Sequence, residues 1–219
     1  MPKLLSKYDL FVFDWDGTLC SLRYMQRIAD FLKSRVVQKV LGARPMAKID
    51  KSSLVVQTKA YNMAHATEGE RIRNALLSTG VDIGFMVSRP RLKNGALETL
   101  KMLKKAGKEV ALLSNGSSWR ILKEMKREGI QNYFDVIIST KDIKAPKPDP
   151  LGLIGIVSLM EADTRRVLYV GDMREDILTA KYAGIDSCGI SDGFASHSDL
   201  KKQSPKYLFS SMEGFAKAL

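Results

Sequence analysis

The sequence predicts an α/β fold, a parallel sheet covered by helices on both faces, with a small helical unit inserted directly after the first strand. Three observations predict it. From Asn94 onward, short apolar runs alternate with segments of helical period. Near the N-terminus, the apolar run Phe11-Val12-Phe13 ends in the acidic turn Asp14-Trp15-Asp16-Gly17-Thr18. Between these regions, residues from about 20 to 88 carry helical spacing without strand signals, too long a stretch for a bare strand-to-helix loop in a packed domain.

The elements follow in order. Phe11 to Phe13 form the first strand. Leu22, Met25, Ile28, Ala29, Leu32, Val36 and Val40 recur at helical spacing, and Gly42 stops that helix before Arg44-Pro45. A second helix fits Leu54 to Ala66, and a third runs from about Glu68 to Leu77 and ends near Gly80. Ala96, Leu97, Leu100, Met102 and Leu103 mark the next helix, ending at Gly107, and Glu109 to Leu113 read as a buried strand. Trp119 to Glu128 is helical and stopped by Gly129; Val136 to Ile138 is a strand. Asp149 can cap a helix whose first position is Pro150. Val167 to Val170 is a strand, Arg174 to Ala183 a helix closed by Gly184, and Asp186 to Ile190 a further strand. The expected division is a core of residues 1–19 and 89–219 with a helical cap of residues 20–88.

Side chains two apart share a face of an extended chain, so Asp14 and Asp16 can point together beyond the end of the first strand. Like charges that close need a cation or a shared proton. One carboxylate able to attack beside another able to carry a proton suits phosphoryl transfer through an aspartyl-phosphate. The competing reading of the pair is a plain strand-end turn, where Asp and Gly are common.

Three more motifs follow: Ser114-Asn115-Gly116, Lys147-Pro148, and Gly171-Asp172-Met173-Arg174-Glu175-Asp176. Together, in this order and at strand ends, the motifs resemble those of the haloacid dehalogenase-like (HAD) hydrolase superfamily, in particular its phosphoglycolate-phosphatase-like branch. The resemblance covers roughly residues 8–20 and 90–200, with the helical insert matching in place only. It implies a Rossmann-like parallel core, with Asp14 as nucleophile and Asp16 as general acid and base. It further implies magnesium held by the side chains of Asp14 and Asp172 and the backbone carbonyl of Asp16, with Asp176 bound directly or through water. Phosphate would be bound by Thr18, Ser114, Asn115, Gly116 and Lys147. Each has an ordinary alternative: acidic residues at Asp172 and Asp176 suit a helix N-terminus, Ser117 or Ser118 can be a cap, and an isolated lysine in a proline-rich loop is usually solvated. Trp15 reads as packing behind the loop. Phe194 to His197 follow the last strand and can border the site.

The 219 residues are enough to bury a core, and 45% hydrophobic with 27% charged content is ordinary for a globular protein. No apolar run approaches the roughly 20 residues of a membrane span, and the N-terminus lacks a secretory apolar region, so the expected location is cytoplasmic. Cys20 and Cys188 are too few for a disulfide framework. His65 and His197 have no companions at metal or triad spacing. The net charge of +11 is spread without a dense basic tract, which favours attraction of phosphorylated metabolites over nucleic-acid binding. The leading expectation is a magnesium-dependent phosphatase of a small phosphorylated metabolite, phosphoglycolate-like or a sugar phosphate. Arg23, Lys48, Lys59, Arg71 and Arg73 are candidate cap cations, or plain solvated helix faces. A phosphomutase of the beta-phosphoglucomutase type, a nucleotide phosphatase and a noncatalytic phosphate-ligand-binding protein are the alternatives. A dehalogenase is disfavoured because resembling dehalogenases lack an acid at the position of Asp16. Whether the protein is a monomer or a homodimer is left open by the sequence.

Overall fold

The computed structural model of the chain describes residues 4–21 and 89–219. The three helices expected between residues 22 and 77, together with Arg23, Lys48, Lys59, His65, Arg71 and Arg73, lie outside the described residues. The chain divides into two units, Met1–Ser21 with Arg91–Leu219, and Leu22–Pro90.

The first unit is built on a six-stranded sheet. Its elements are α1 (Leu4–Lys7), β1 (Leu10–Phe13), α2 (Ala96–Lys105), β2 (Glu109–Ser114), α3 (Ser118–Glu128), β3 (Val136–Ser139), α4 (Leu151–Leu159), β4 (Val167–Gly171), α5 (Arg174–Tyr182), β5 (Asp186–Ile190), α6 (His197–Lys202), β6 (Tyr207–Phe209) and α7 (Met212–Ala216). The order across the sheet is β3-β2-β1-β4-β5-β6, and every pairing is parallel. That is the doubly wound order, in which the chain reverses direction across the sheet between β1 and β4. The register sets Phe13 opposite both Leu112 and Val170, so β1, β2 and β4 end at one level.

Period-two alternation divides the strands between two cores. Phe11, Phe13, Val110, Leu112, Leu168 and Val170 face a layer containing Leu100 and Leu103 of α2, Ile121 and Met125 of α3, and Phe215 of α7. Leu10, Val12, Ala111, Leu113, Val167 and Tyr169 face Leu153 and Ile156 of α4 and Ala180 of α5. Burial on both faces is why these strands read as continuous apolar runs.

Helix boundaries follow the stop signals. α3 ends at Gly129, whose φ of 69° closes the helix in the left-handed region. Pro150 is the residue before α4 rather than its first helical position, and the Asp149 carboxylate accepts the Leu151 N–H at 2.9 Å. Ser117 stands at the cap of α3, but its hydroxyl makes no capping bond. Elements beyond Ile190 were not expected from the pattern. β6 and α7 dock through aromatic edges, Phe215 meeting Phe13 at 6.2 Å and Phe209 at 5.6 Å between ring centroids, whereas α6 buries Leu200. Both cysteines are buried and free. Among the described residues no helix is long and apolar enough to cross a membrane.

Leu112 is fully buried on β2, an interior strand of the sheet. Its replacement by alanine is expected to cost about 2–5 kcal/mol of unfolding free energy, read as a lowered urea midpoint with an unchanged slope.

Candidate active site

The carboxyl ends of β1 and β4 flank the point where strand order reverses, the place where such sheets leave a crevice. Asp14 follows β1 and Asp172 follows β4. One oxygen from each of Asp14, Asp172 and Asp176 lies within 4.8 Å of the others, and all three residues are buried. Lys147 enters this cluster from the loop after β3. Its Nζ donates to Asp14 Oδ1 and to Asp176 Oδ1, each at 2.6 Å.

Each carboxylate is held by its own set of donors. Asp176, in the first turn of α5, accepts the backbone N–H groups of Asp172 at 3.1 Å and Met173 at 2.9 Å through Oδ2, satisfying donors at a helix start. Its Oδ1 also accepts the Tyr169 hydroxyl at 3.0 Å. Asp172 accepts the Phe194 N–H at 2.6 Å and the Thr18 hydroxyl at 2.9 Å. The same hydroxyl lies 3.4 Å from Asp14 Oδ2, so Thr18 ties the two strand ends together. Gly17 is held at φ 91°, and a Cβ there would lie 2.3 Å from Asp172 Oδ2; the turn tolerates no side chain on both counts.

Three carboxylates against one ammonium leave a surplus of two negative charges when all are ionised. Burial pushes the Asp14 carboxyl up to about 7; the Lys147 ammonium opposes this and the neighbouring Asp176 adds to it. Asp172 is also pushed well above the usual carboxylate range, first by burial and then by Asp14 and Asp176. For Lys147, burial alone would lower the pKa, but Asp14 and Asp176 outweigh it and hold the ammonium charged. An oxygen-only cluster with surplus negative charge suits a hard divalent cation, and among the described residues Asp14, Asp172 and Asp176 bring carboxylate oxygens close enough together to hold one, Asp176 being already occupied by four donors.

The other residues expected at the site divide between it and its supports. Ser114 is buried at the end of β2, and its Oγ accepts the Gly116 N–H at 3.0 Å, leaving the hydroxyl proton for another acceptor. Asn115 Oδ1 accepts the Lys147 N–H at 3.1 Å and the Thr140 hydroxyl at 2.6 Å, which fixes the lysine loop against β2. The Gly116 carbonyl accepts the Ser139 hydroxyl at 2.7 Å. The Asp16 carboxylate is paired with the buried Arg120 of α3. Phe194 borders the site through its backbone, whereas His197 is exposed and its Nδ1 is 3.3 Å from Ser191 Oγ.

Four contributors are absent from the motifs: Arg120, Glu124, Tyr169 and Lys93. Lys93 donates to the Gly17 carbonyl at 2.8 Å and pairs with Asp192, pinning the acidic turn. A signal existed for two of them. Arg120 and Glu124 flank Ile121 and Met125 on the buried stripe of α3, where unpaired charges would be costly.

A family model described as haloacid dehalogenase-like hydrolase matches residues 11–190. A phosphoglycolate phosphatase of Pseudomonas fluorescens is 34% identical over 111 residues, 51% of this chain and 41% of that enzyme. Phosphoglycolate phosphatase 1 of Pseudomonas aeruginosa is 27% identical over 208 residues, 90% of this chain and 74% of its own length. In fold, the chain is similar to a hydrolase from Pseudomonas syringae, with a TM-score of 0.77 at 18% identity over 94% of this chain and 95% of that one.

Lys147→Met is expected to destabilise the fold by about 3–5 kcal/mol at pH 8, because it strands buried carboxylates. The deficit should shrink towards pH 5. Asp14, raised from 3.8 to about 7, favours the folded state in its protonated form, and that contribution is lost as pH rises through about 7. Without the ammonium the loss should be larger. Urea unfolding of both proteins at pH 5 and pH 8 checks the sign.

Proposed function

The chain belongs to the haloacid dehalogenase-like hydrolase family, and from that premise we propose that it is a magnesium-dependent phosphatase of small phosphorylated metabolites. The observation that carries this reading is the Asp14 carboxylate at the crevice between β1 and β4, with Lys147 Nζ 2.6 Å away and Asp172 beside it.

In the proposed reaction, an Asp14 oxygen attacks phosphorus as the bond to the leaving oxygen breaks. Asp16 gives that oxygen a proton, and an aspartyl-phosphate forms on Asp14. Asp16, now a carboxylate, takes a proton from water as the water oxygen attacks the same phosphorus, which frees Asp14 and inorganic phosphate. Magnesium, held by Asp14, Asp172 and the Asp16 carbonyl with Asp176 nearby, would neutralise phosphoryl charge that otherwise repels the nucleophile. Lys147 contributes a fixed positive charge to the same task, and its two carboxylate bonds keep it in place. The Ser114 hydroxyl is the proposed phosphate donor, with Asn115 and Gly116 shaping the turn beside it; the Gly116 N–H is itself held by Ser114 Oγ. Thr18 serves by bridging Asp14 and Asp172, which sets their spacing.

For the substrate, the similarity to phosphoglycolate phosphatases supports a small monoester carrying a second anionic group. The excess of lysine and arginine gives a long-range field of the right sign for such polyanions.

Phosphate release from a panel of phosphorylated metabolites should require magnesium, with Asp14→Asn lowering kcat by about 10³-fold or more. Accumulation of an isomerised phosphate with little free phosphate would instead indicate a mutase. Magnesium replaces the proton that Asp14 holds below about pH 7, so its thermal stabilisation of the protein should grow between pH 6 and pH 8. Melting curves with and without magnesium at the two pH values measure this.

A further inference from the structure

We infer that Arg120 is a positioning residue for Asp16, fixing the plane of the carboxylate that passes protons to the leaving group and from the water. The inference rests on the phosphatase reading above and assigns the device that aims its acid and base.

The geometry is a closed ring. Arg120 presents both ends of its fork to Asp16: Nη1 donates to Oδ1 at 3.0 Å and Nη2 donates to Oδ2. Nη1 is also bonded to both oxygens of Glu124, at 3.2 and 3.1 Å, one helical turn along α3. Glu124 Oε2 accepts the indole N–H of Trp15 at 2.7 Å. Trp15 directly precedes Asp16, so the ring returns to the acidic turn through one peptide bond. Trp15, Arg120 and Glu124 are each at most 1% exposed. The turn is thus held twice by α3, once at Trp15 and once at the Asp16 carboxylate.

Three points favour a task beyond stability. A buried guanidinium with two carboxylates pays a desolvation cost that apolar side chains of the same volume would avoid, so fold stability alone does not call for it. A fork against both oxygens fixes orientation, whereas a lysine would act as a point charge. It also uses only two of the roughly four acceptor positions of the carboxylate, leaving each oxygen a further lone pair. The Asp16 side chain is 17% exposed, while that of Arg120 is 1% exposed, so the reactive end keeps access and its holder does not.

The glycine of the Ser114-Asn115-Gly116 turn fits this account. A Cβ on Gly116 would lie 2.2 Å from Arg120 Nη2, so the missing side chain is the space the guanidinium occupies. Trp15, between the two aspartates, has a role of the same kind: its ring fills the core and its N–H orients Glu124.

The test compares kcat/KM for two esters, since this quantity covers the steps through departure of the leaving group. One is the fastest alkyl phosphate of the panel, whose leaving oxygen needs a proton. The other is p-nitrophenyl phosphate, whose leaving group is stable without one. In Arg120→Lys the ratio of alkyl to p-nitrophenyl kcat/KM should fall by about 10-fold or more, within the reach of general acid catalysis. Glu124→Gln keeps an acceptor for Trp15, loosens Arg120 and should shift the ratio the same way by less; it carries the test if Arg120→Lys does not fold. The double variant Asp16→Asn/Arg120→Lys should lose no more than Asp16→Asn alone. Equal losses on both esters, or losses that multiply in the double variant, would overturn the role of Arg120 while leaving the phosphatase reading standing. Absence of turnover of either ester by the unsubstituted protein would overturn both.

Discussion

The bond pair from Lys147 Nζ to Asp14 and Asp176 is the contact on which the rest of the site depends. Three buried carboxylates at this spacing repel one another, and removal from water penalises each charge further. One ammonium at 2.6 Å from two of them offsets part of that cost and makes the strand ends compatible with folding. The compensation is incomplete, as the raised Asp14 and Asp172 carboxyls record. A site with unsatisfied negative charge at its centre is suited to a divalent cation and a phosphoryl group arriving together.

The sheet delivers this arrangement with little freedom. The common register of β1, β2 and β4 brings Asp14, Ser114 and Asp172 to one edge. From that edge the polar network reaches into both layers: Lys147 and Tyr169 link it to the α4 and α5 side, while Arg120 and Glu124 link it to α3. Thr18 and Phe194 then join the loops after β1 and β5 to Asp172. The reactive groups therefore stand on loops whose ends are set by rigid strands.

Much of the core was legible in the sequence because its determinants are local. Apolar strands buried on both faces stand out as continuous runs, and glycines such as Gly129 mark helix ends through the backbone conformation they alone adopt easily. The region after Ile190 was not legible. β6 has three residues and α7 five, too few for a period to emerge, and Phe209 and Phe215 are placed by contacts with distant strands. The motif aspartates and Lys147 were visible from their strand-end positions, whereas for Arg120 and Glu124 the sequence offers only their place beside Ile121 and Met125 on the apolar stripe of α3, with nothing to name their partners. Their tertiary partners in the acidic turn, Asp16 for Arg120 and Trp15 for Glu124, each across more than a hundred residues of chain, account for their burial. The sharing of the Thr18 hydroxyl between two carboxylates was not legible either, because the contact requires β1 and β4 to be neighbours.

If an Asp14 oxygen attacks phosphorus, the resulting acyl phosphate can be trapped covalently. The protein would be mixed with magnesium and substrate, quenched during turnover and reduced with borohydride, which converts an acyl phosphate on aspartate to the alcohol. Homoserine is expected at position 14 in the peptide mass spectrum, and only when substrate was present. Turnover accompanied by reduction at another carboxylate, or by none, would contradict it.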